Sequence, residues 1–163
     1  MSFHDSIKAK IVTLEELAAK LAALRSHTPR PSVVFTNGCF DLVHRGHVDY
    51  LSQARDMGDL LIVGLNSDSS VRRLKGPSRP ISNQRSRAEV LAAFAFVDHV
   101  VLFDDDTPLR LIETLAPDIL VKGADYSRDN VVGADFVERH GGRVALIPLI
   151  AGESTTALVE KMK

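Results

Sequence analysis

A chain of 163 residues fits one domain large enough to bury a genuine core and leaves no room in this chain for a second catalytic domain. Apolar residues make up 45% and charged residues 25%, which excludes a disordered or fibrous character; no apolar run approaches the length that spans a bilayer. A net charge of −1 lacks the large basic excess of proteins that coat nucleic acid, so the expected partner is a small, locally bound anion, with no nucleic acid and no membrane.

Residues 2–11 mix Asp5, Lys8 and Lys10 with apolar positions, so no secretory leader is expected there and the cytoplasm is the expected compartment. Thr13 reads as a helix N-cap, with Glu16 completing a capping box and leucines and alanines recurring at helical spacing over 14–25. Pro29 and Pro31 break that pattern, and residues 32–36 read as a buried strand followed by the turn signal Asn37-Gly38. A helix is expected over 46–57, closed by Gly58, then a strand over 60–65 and a basic loop over 72–80. Further along come a helix over 83–96, a strand over 97–103 and a helix capped by Thr107 with Pro108 at its first position. A strand over 118–122, a weaker helix over 131–140, a strand over 143–149 and a helix from Ser154 complete the alternation. Near-continuous apolar strands separated by helices predict an α/β fold: a single-domain, Rossmann-like three-layer α/β/α sandwich around a mainly parallel five-stranded sheet. In such sheets ligands sit beyond the carboxyl ends of the strands, which points to the loops after Thr36, Leu65 and Lys122.

The loop after the first strand carries His44-Arg45-Gly46-His47 at a helix start. Residues three apart on a first helical turn face one side, beside backbone amides that carry partial positive charge, and such a pair suits a phosphate. Imidazole donors would strengthen their hydrogen bonds as charge gathers on the phosphorus oxygens in an in-line displacement, and Gly46 leaves room for close approach. The same two histidines could instead be surface or capping residues. Metal ligation by the pair lacks further ligands at suitable spacing. In the basic loop, Lys75 would act as a mobile point charge on a triphosphate, although a solvated loop explains it as well, and Arg85 and Arg87 carry the same ambiguity. Ser154, Thr155 and Thr156 serve either as helix caps or as a phosphate cradle. Cys39, the only cysteine, excludes an internal disulfide and reads as a small packing residue rather than a nucleophile. Asp104, Asp105 and Asp106 read as acidic decoration of a helix start.

Four separated segments, Asn37-Gly-Cys-Phe-Asp-Leu-Val-His-Arg-Gly-His47, Arg73-Leu-Lys-Gly-Pro-Ser-Arg-Pro80, Leu120-Val-Lys-Gly-Ala-Asp-Tyr126 and Ser154-Thr-Thr156, together resemble the cytidylyltransferase-like nucleotidyltransferases. More closely, they are similar to the adenylyltransferase domain that makes ADP-heptose from D-glycero-β-D-manno-heptose 1-phosphate and ATP. The resemblance implies a nucleotidyltransferase domain over 30–163 preceded by a helical extension over 1–29. It also implies ATP and Mg2+, a sugar-phosphate acceptor, and a place in lipopolysaccharide core biosynthesis. By the same resemblance His44, His47 and Lys75 would be catalytic. Cys39, Phe40, Arg85, Gly123, Asp125, Ser154, Thr155 and Thr156 would hold the nucleotide, and Asp41 would approach the sugar phosphate. The chain departs from relatives at Glu153, a carboxylate before Ser-Thr-Thr, and at Leu149, where cytidylyltransferase relatives carry an arginine. A cytidylyltransferase acting on glycerol 3-phosphate or a similar alcohol phosphate, and a nucleotide sensor that binds without turnover, are the competing readings. Homo-oligomer formation stays open, with the apolar face of the leading helix as its candidate interface.

Overall fold

Two-residue periodicity in the strands decides how the layers form, because alternate side chains leave a sheet on opposite faces. In a computed structural model describing residues 2–161, the chain runs α1 (Phe3–Ala9), α2 (Leu14–Leu24), β1 (Val33–Gly38), α3 (Arg45–Arg55), β2 (Leu60–Asn66), α4 (Asp68–Lys75) and α5 (Gln84–Ala92). It continues through β3 (His99–Phe103), α6 (Leu109–Leu115), β4 (Ile119–Gly123), a 3-10 turn (Arg128–Asn130), α7 (Ala134–Arg139), β5 (Arg143–Ile147) and α8 (Thr155–Lys161). Val34, Leu61, Val63 and Leu65 face one apolar layer with Leu51 and Leu91, whereas Val33, Phe35 and Ile62 face the other with Leu111 and Ile112. All these side chains are buried, so both faces of the sheet are covered, as the near-continuous apolar strands predict.

The sheet is entirely parallel with strand order β3-β2-β1-β4-β5. The chain winds outward from β1 through β2 to β3, then returns to place β4 on the other side of β1. This reversal opens a crevice at the carboxyl ends of β1 and β4, where Asn37 and Gly38 lie beside Lys122 and Gly123.

Several local expectations shift. Residues 72–75 are the last turn of α4, not loop, because Ser67 caps the helix by accepting the Ser70 amide at 3.1 Å. Helix α6 starts at Leu109, with Pro108 at the N-cap and no side-chain cap, so Thr107 is not the capping residue. The 83–96 helix stops at Ala92, β3 starts at His99, and β5 ends at Ile147. The segment before β1 is tightly joined to the rest: Leu17 and Leu21 are fully buried in the second core layer, and Ile11 forms a parallel bridge with Val100.

Candidate functional site

Above the β1/β4 crevice lies a cleft of two adjoining pockets, about 520 and 380 Å3, which share Asn37, Cys39, Phe40, His47, Lys75, Lys122, Tyr126 and Thr155. The loop from β1 to α3 forms one wall. His44 is the N-cap of α3, with extended backbone at φ −140°, and its Nδ1 accepts the Gly46 amide at 3.1 Å. His47 Nδ1 accepts the His44 amide at 3.4 Å, closing a reciprocal cap in which both partners are imidazoles. Capping therefore fixes both tautomers: with Nδ1 an acceptor, a neutral ring carries its proton on Nε2. The rings stack at 3.9 Å between centroids. Burial, and then the neighbouring His44, push the His47 pKa down to about 4, so near neutral pH it is an uncharged donor.

Phe40 supports this pair. Its ring meets His47 edge-on at 5.1 Å, and its backbone takes the left-handed φ of 42°, a conformation that costs a bulky residue on the order of 1–3 kcal/mol. Gly38 gives that ring its room, since a Cβ there would stand 3.0 Å from it, closer than ordinary van der Waals contact.

Asp41 is held by the segment that follows α4. Its carboxylate accepts the Ile81 amide at 2.8 Å, the Ser82 amide at 2.9 Å and Arg79 Nε at 2.5 Å, and its side chain is 1% exposed. Burial works to raise its pKa, but those amides and the guanidinium outweigh it and hold the carboxyl below the usual carboxylate range. These contacts pin the 76–82 loop over the cleft, and Asp41 itself borders the first pocket, on the side where an approach to the sugar phosphate is expected of it. Arg85 departs from expectation: it is exposed, paired with Glu89 at 3.1 Å one turn along α5, and absent from the cleft lining. Its neighbour Arg87 points inward and is 1% exposed, donating to Cys39 O at 2.6 Å, Ser82 O at 2.9 Å and Asp68 Oδ1 at 2.8 Å. Arg73 is held outside the cleft by Asp104 and Asp106, which makes the acidic run its counter-charge.

Lys75 reaches the cleft from the end of α4 and is exposed. Cys39 lies in the lining with its thiol pKa raised by burial, as suits a packing residue. Gly123 is buried at the end of β4; a Cβ there would come within 2.5 Å of Asp125 Oδ1 and 3.1 Å of Leu149. Ser154 Oγ accepts the Ala157 amide at 3.0 Å, while the Thr155 hydroxyl donates to Leu42 O at 3.2 Å and ties α8 to the histidine loop. Thr156 lines the first pocket and Ser154 the second. Glu153 Oε2 stands 3.8 Å from His44 Nδ1.

Sequence reasoning missed Lys122. The penultimate residue of β4, it is buried, donates to Asn37 Oδ1 on β1 and lies 5.5 Å from the centroid of the Tyr126 ring. Burial brings its pKa down to about 8, against the opposing pull of Asp125. A lysine ending an otherwise apolar strand at the switch point was the available signal. Among the described residues no helix is long and apolar enough to cross a membrane.

Residues 35–147 match the sequence model of a family described as Cytidylyltransferase-like. The chain is 56% identical over 160 residues to "Bifunctional protein HldE" of Geotalea uraniireducens, an alignment covering 98% of this chain and 32% of that protein. It is 63% identical over 131 residues to the protein of the same name from Syntrophotalea carbinolica, covering 80% and 27%. The chain thus spans about a third of the length of the curated relatives it matches. Among solved structures it resembles a lipopolysaccharide core biosynthesis protein from Thermoplasma volcanium, with a TM-score of 0.60 at 27% identity, over 74% of this chain and 97% of that one.

Proposed function

The chain belongs to the cytidylyltransferase-like family, and we propose that it is an adenylyltransferase that moves AMP from ATP onto D-glycero-β-D-manno-heptose 1-phosphate, yielding ADP-heptose and pyrophosphate. The observation that carries this reading is the meeting of His47, Lys75 and Thr155 on one cleft at the switch point. The high identity to proteins named HldE and the likeness to a lipopolysaccharide core biosynthesis protein support it. The heptose acceptor itself rests on the resemblance of the four sequence segments.

The acceptor's anomeric phosphate is ionised at neutral pH and serves as the nucleophile, so the chain need supply none. Its oxygen attacks the α-phosphorus, a new P–O bond forms, and the bond to the pyrophosphate oxygen breaks. The two Nε2–H groups would donate to the oxygens gathering charge on that phosphorus, already oriented by their caps before substrate arrives. Lys75, exposed at a helix end and without an ion pair among the described residues, would follow the departing pyrophosphate. The Thr156 and Ser154 hydroxyls would meet the outer phosphates, and Gly123 with Asp125 would border the nucleoside. Magnesium would enter as part of the ATP substrate and ease pyrophosphate departure. Among the described residues no group of three or more His, Cys, Asp or Glu gathers around one point.

A pyrophosphate-release assay crossing ATP and CTP with heptose 1-phosphate and glycerol 3-phosphate tests the proposal. Release only with ATP and the heptose is expected. Release with CTP and glycerol 3-phosphate would replace it by a cytidylyltransferase, and release with no pair by a nucleotide sensor.

A further inference from the structure

We propose that Lys122 binds the acceptor's phosphate at the junction of the two pockets and aims its attacking oxygen at the α-phosphorus. The inference rests on the proposed transfer and adds the residue that receives the nucleophile.

Three features carry it. Lys122 is buried at the end of a central strand, yet among the described residues no carboxylate forms an ion pair with it. Its one hydrogen-bond acceptor, Asn37 Oδ1, is neutral, and the face of Tyr126 is its other neighbour, so two ammonium N–H bonds remain for a ligand. Asp125 pulls on the ammonium without touching it and offsets the cost of burying this cation only in part, so an arriving anion relieves the remainder. Its position is the second feature. The pocket holding His44, Gly123, Asp125 and Ser154 is the nucleotide side of the proposed site, and Lys122 borders both it and the adjoining pocket lined by Asn66, Arg79 and Asn130. Third, the other cations on that adjoining pocket are committed or exposed: Arg79 is neutralised by Asp41, and Lys75 stands in solvent at the end of α4. Lys122 is the cation held rigidly where an acceptor phosphate must lie to attack in line. Asn37 and Tyr126 are positioning residues, fixing the ammonium on β1 and against an aromatic face.

The test compares the parent with Lys122→Met and Lys122→Gln by calorimetric titration, first with α,β-methylene-ATP and then with heptose 1-phosphate added to the analogue-saturated protein. Affinity for the analogue should stay within about threefold, while affinity for heptose 1-phosphate falls about 10- to 100-fold, the scale of one lost charged hydrogen bond. The melting temperature should hold or rise, since a buried charge with no direct ion-pair partner is removed; a purely structural lysine would lower it. Unchanged acceptor affinity in both variants, or a loss confined to the analogue, overturns the assignment. If the parent releases pyrophosphate from no substrate pair, the proposed function fails, and inorganic phosphate becomes the probe on the analogue complex. Equal phosphate affinity in parent and variants would then overturn the role of Lys122 on its own.

Discussion

Replacing Arg87 by methionine removes a side chain that ties the histidine loop, the 76–82 loop and α4 together. Its guanidinium donates to Cys39 O, Ser82 O and Asp68 Oδ1, and it is 1% exposed, so the lost partners cannot all be replaced by water. Breaking a buried pair costs about 3–5 kcal/mol; the Asp68 side chain is 25% exposed and recovers some hydration, which argues for the lower end, about 3 kcal/mol. For a chain of this length each kcal/mol shifts the midpoint by about 2–4 °C, so a fall of about 6–12 °C is expected in thermal unfolding followed by circular dichroism. Arg87→Lys should recover less than half of that, because a single ammonium cannot span three acceptors fixed by a planar fork. A melting temperature within about 2 °C of the parent for Arg87→Met would refute the reasoning, since it would mean that those acceptors find other donors at no cost.

Gly123→Ala should leave the fold intact, because the nearest obstacle is the movable end of Asp125, but it should displace that carboxylate and raise KM for ATP with little change in melting temperature. Steady-state kinetics beside a melt would show this, and an unchanged KM would remove Asp125 from the nucleoside pocket. His47→Ala should lower kcat/KM about 10²–10³-fold, as loss of one preorganised donor does. The same variant tests the titration. The unfolded chain takes up the His47 proton near 6.5 and the folded one only at about 4, so its contribution is complete above pH 6.5 and declines as pH falls through that window. Denaturant midpoints measured from pH 7 to 4 should therefore decline less steeply in His47→Ala than in the parent, and parallel curves would contradict the shift.

What could be read from the sequence follows from where burial leaves a local trace. The strands at β1, β2 and β4 announced themselves because both sheet faces are covered and nearly every position must be apolar. Helix α4 did not, since only Ser70 and Val71 are buried and its outer face is basic. Helix α1 buries nothing and spans seven residues, too few for periodicity, although Ser2 and Asp5 do form a capping box. At the site, the histidine pair was legible because it stands between a buried strand and a helix start. Arg85 and Arg87 were indistinguishable in sequence, two apart on one helix; only packing turns one outward to Glu89 and the other into the core. The scaffold contacts of Asp41 left no trace for a similar reason, since its partner Arg79 returns from 38 residues away.

A common rule accounts for these differences. Around the rim, cations that build the scaffold each meet a carboxylate: Arg87 meets Asp68, Arg79 meets Asp41, and Arg73 meets Asp104 and Asp106. Lys75 and Lys122 line the cleft with no such pair among the described residues, one exposed and the other buried. The paired arginines fix the loops and are spent in the scaffold, whereas inside the cleft Lys75 and Lys122 stand with the carboxylates of Asp125 and Glu153 and with two imidazoles whose neutral tautomers the helix cap dictates. The two ammonium groups and the Nε2–H groups thus offer an arriving phosphate donors already in place, and His47 stays an uncharged donor at pH values above about 4.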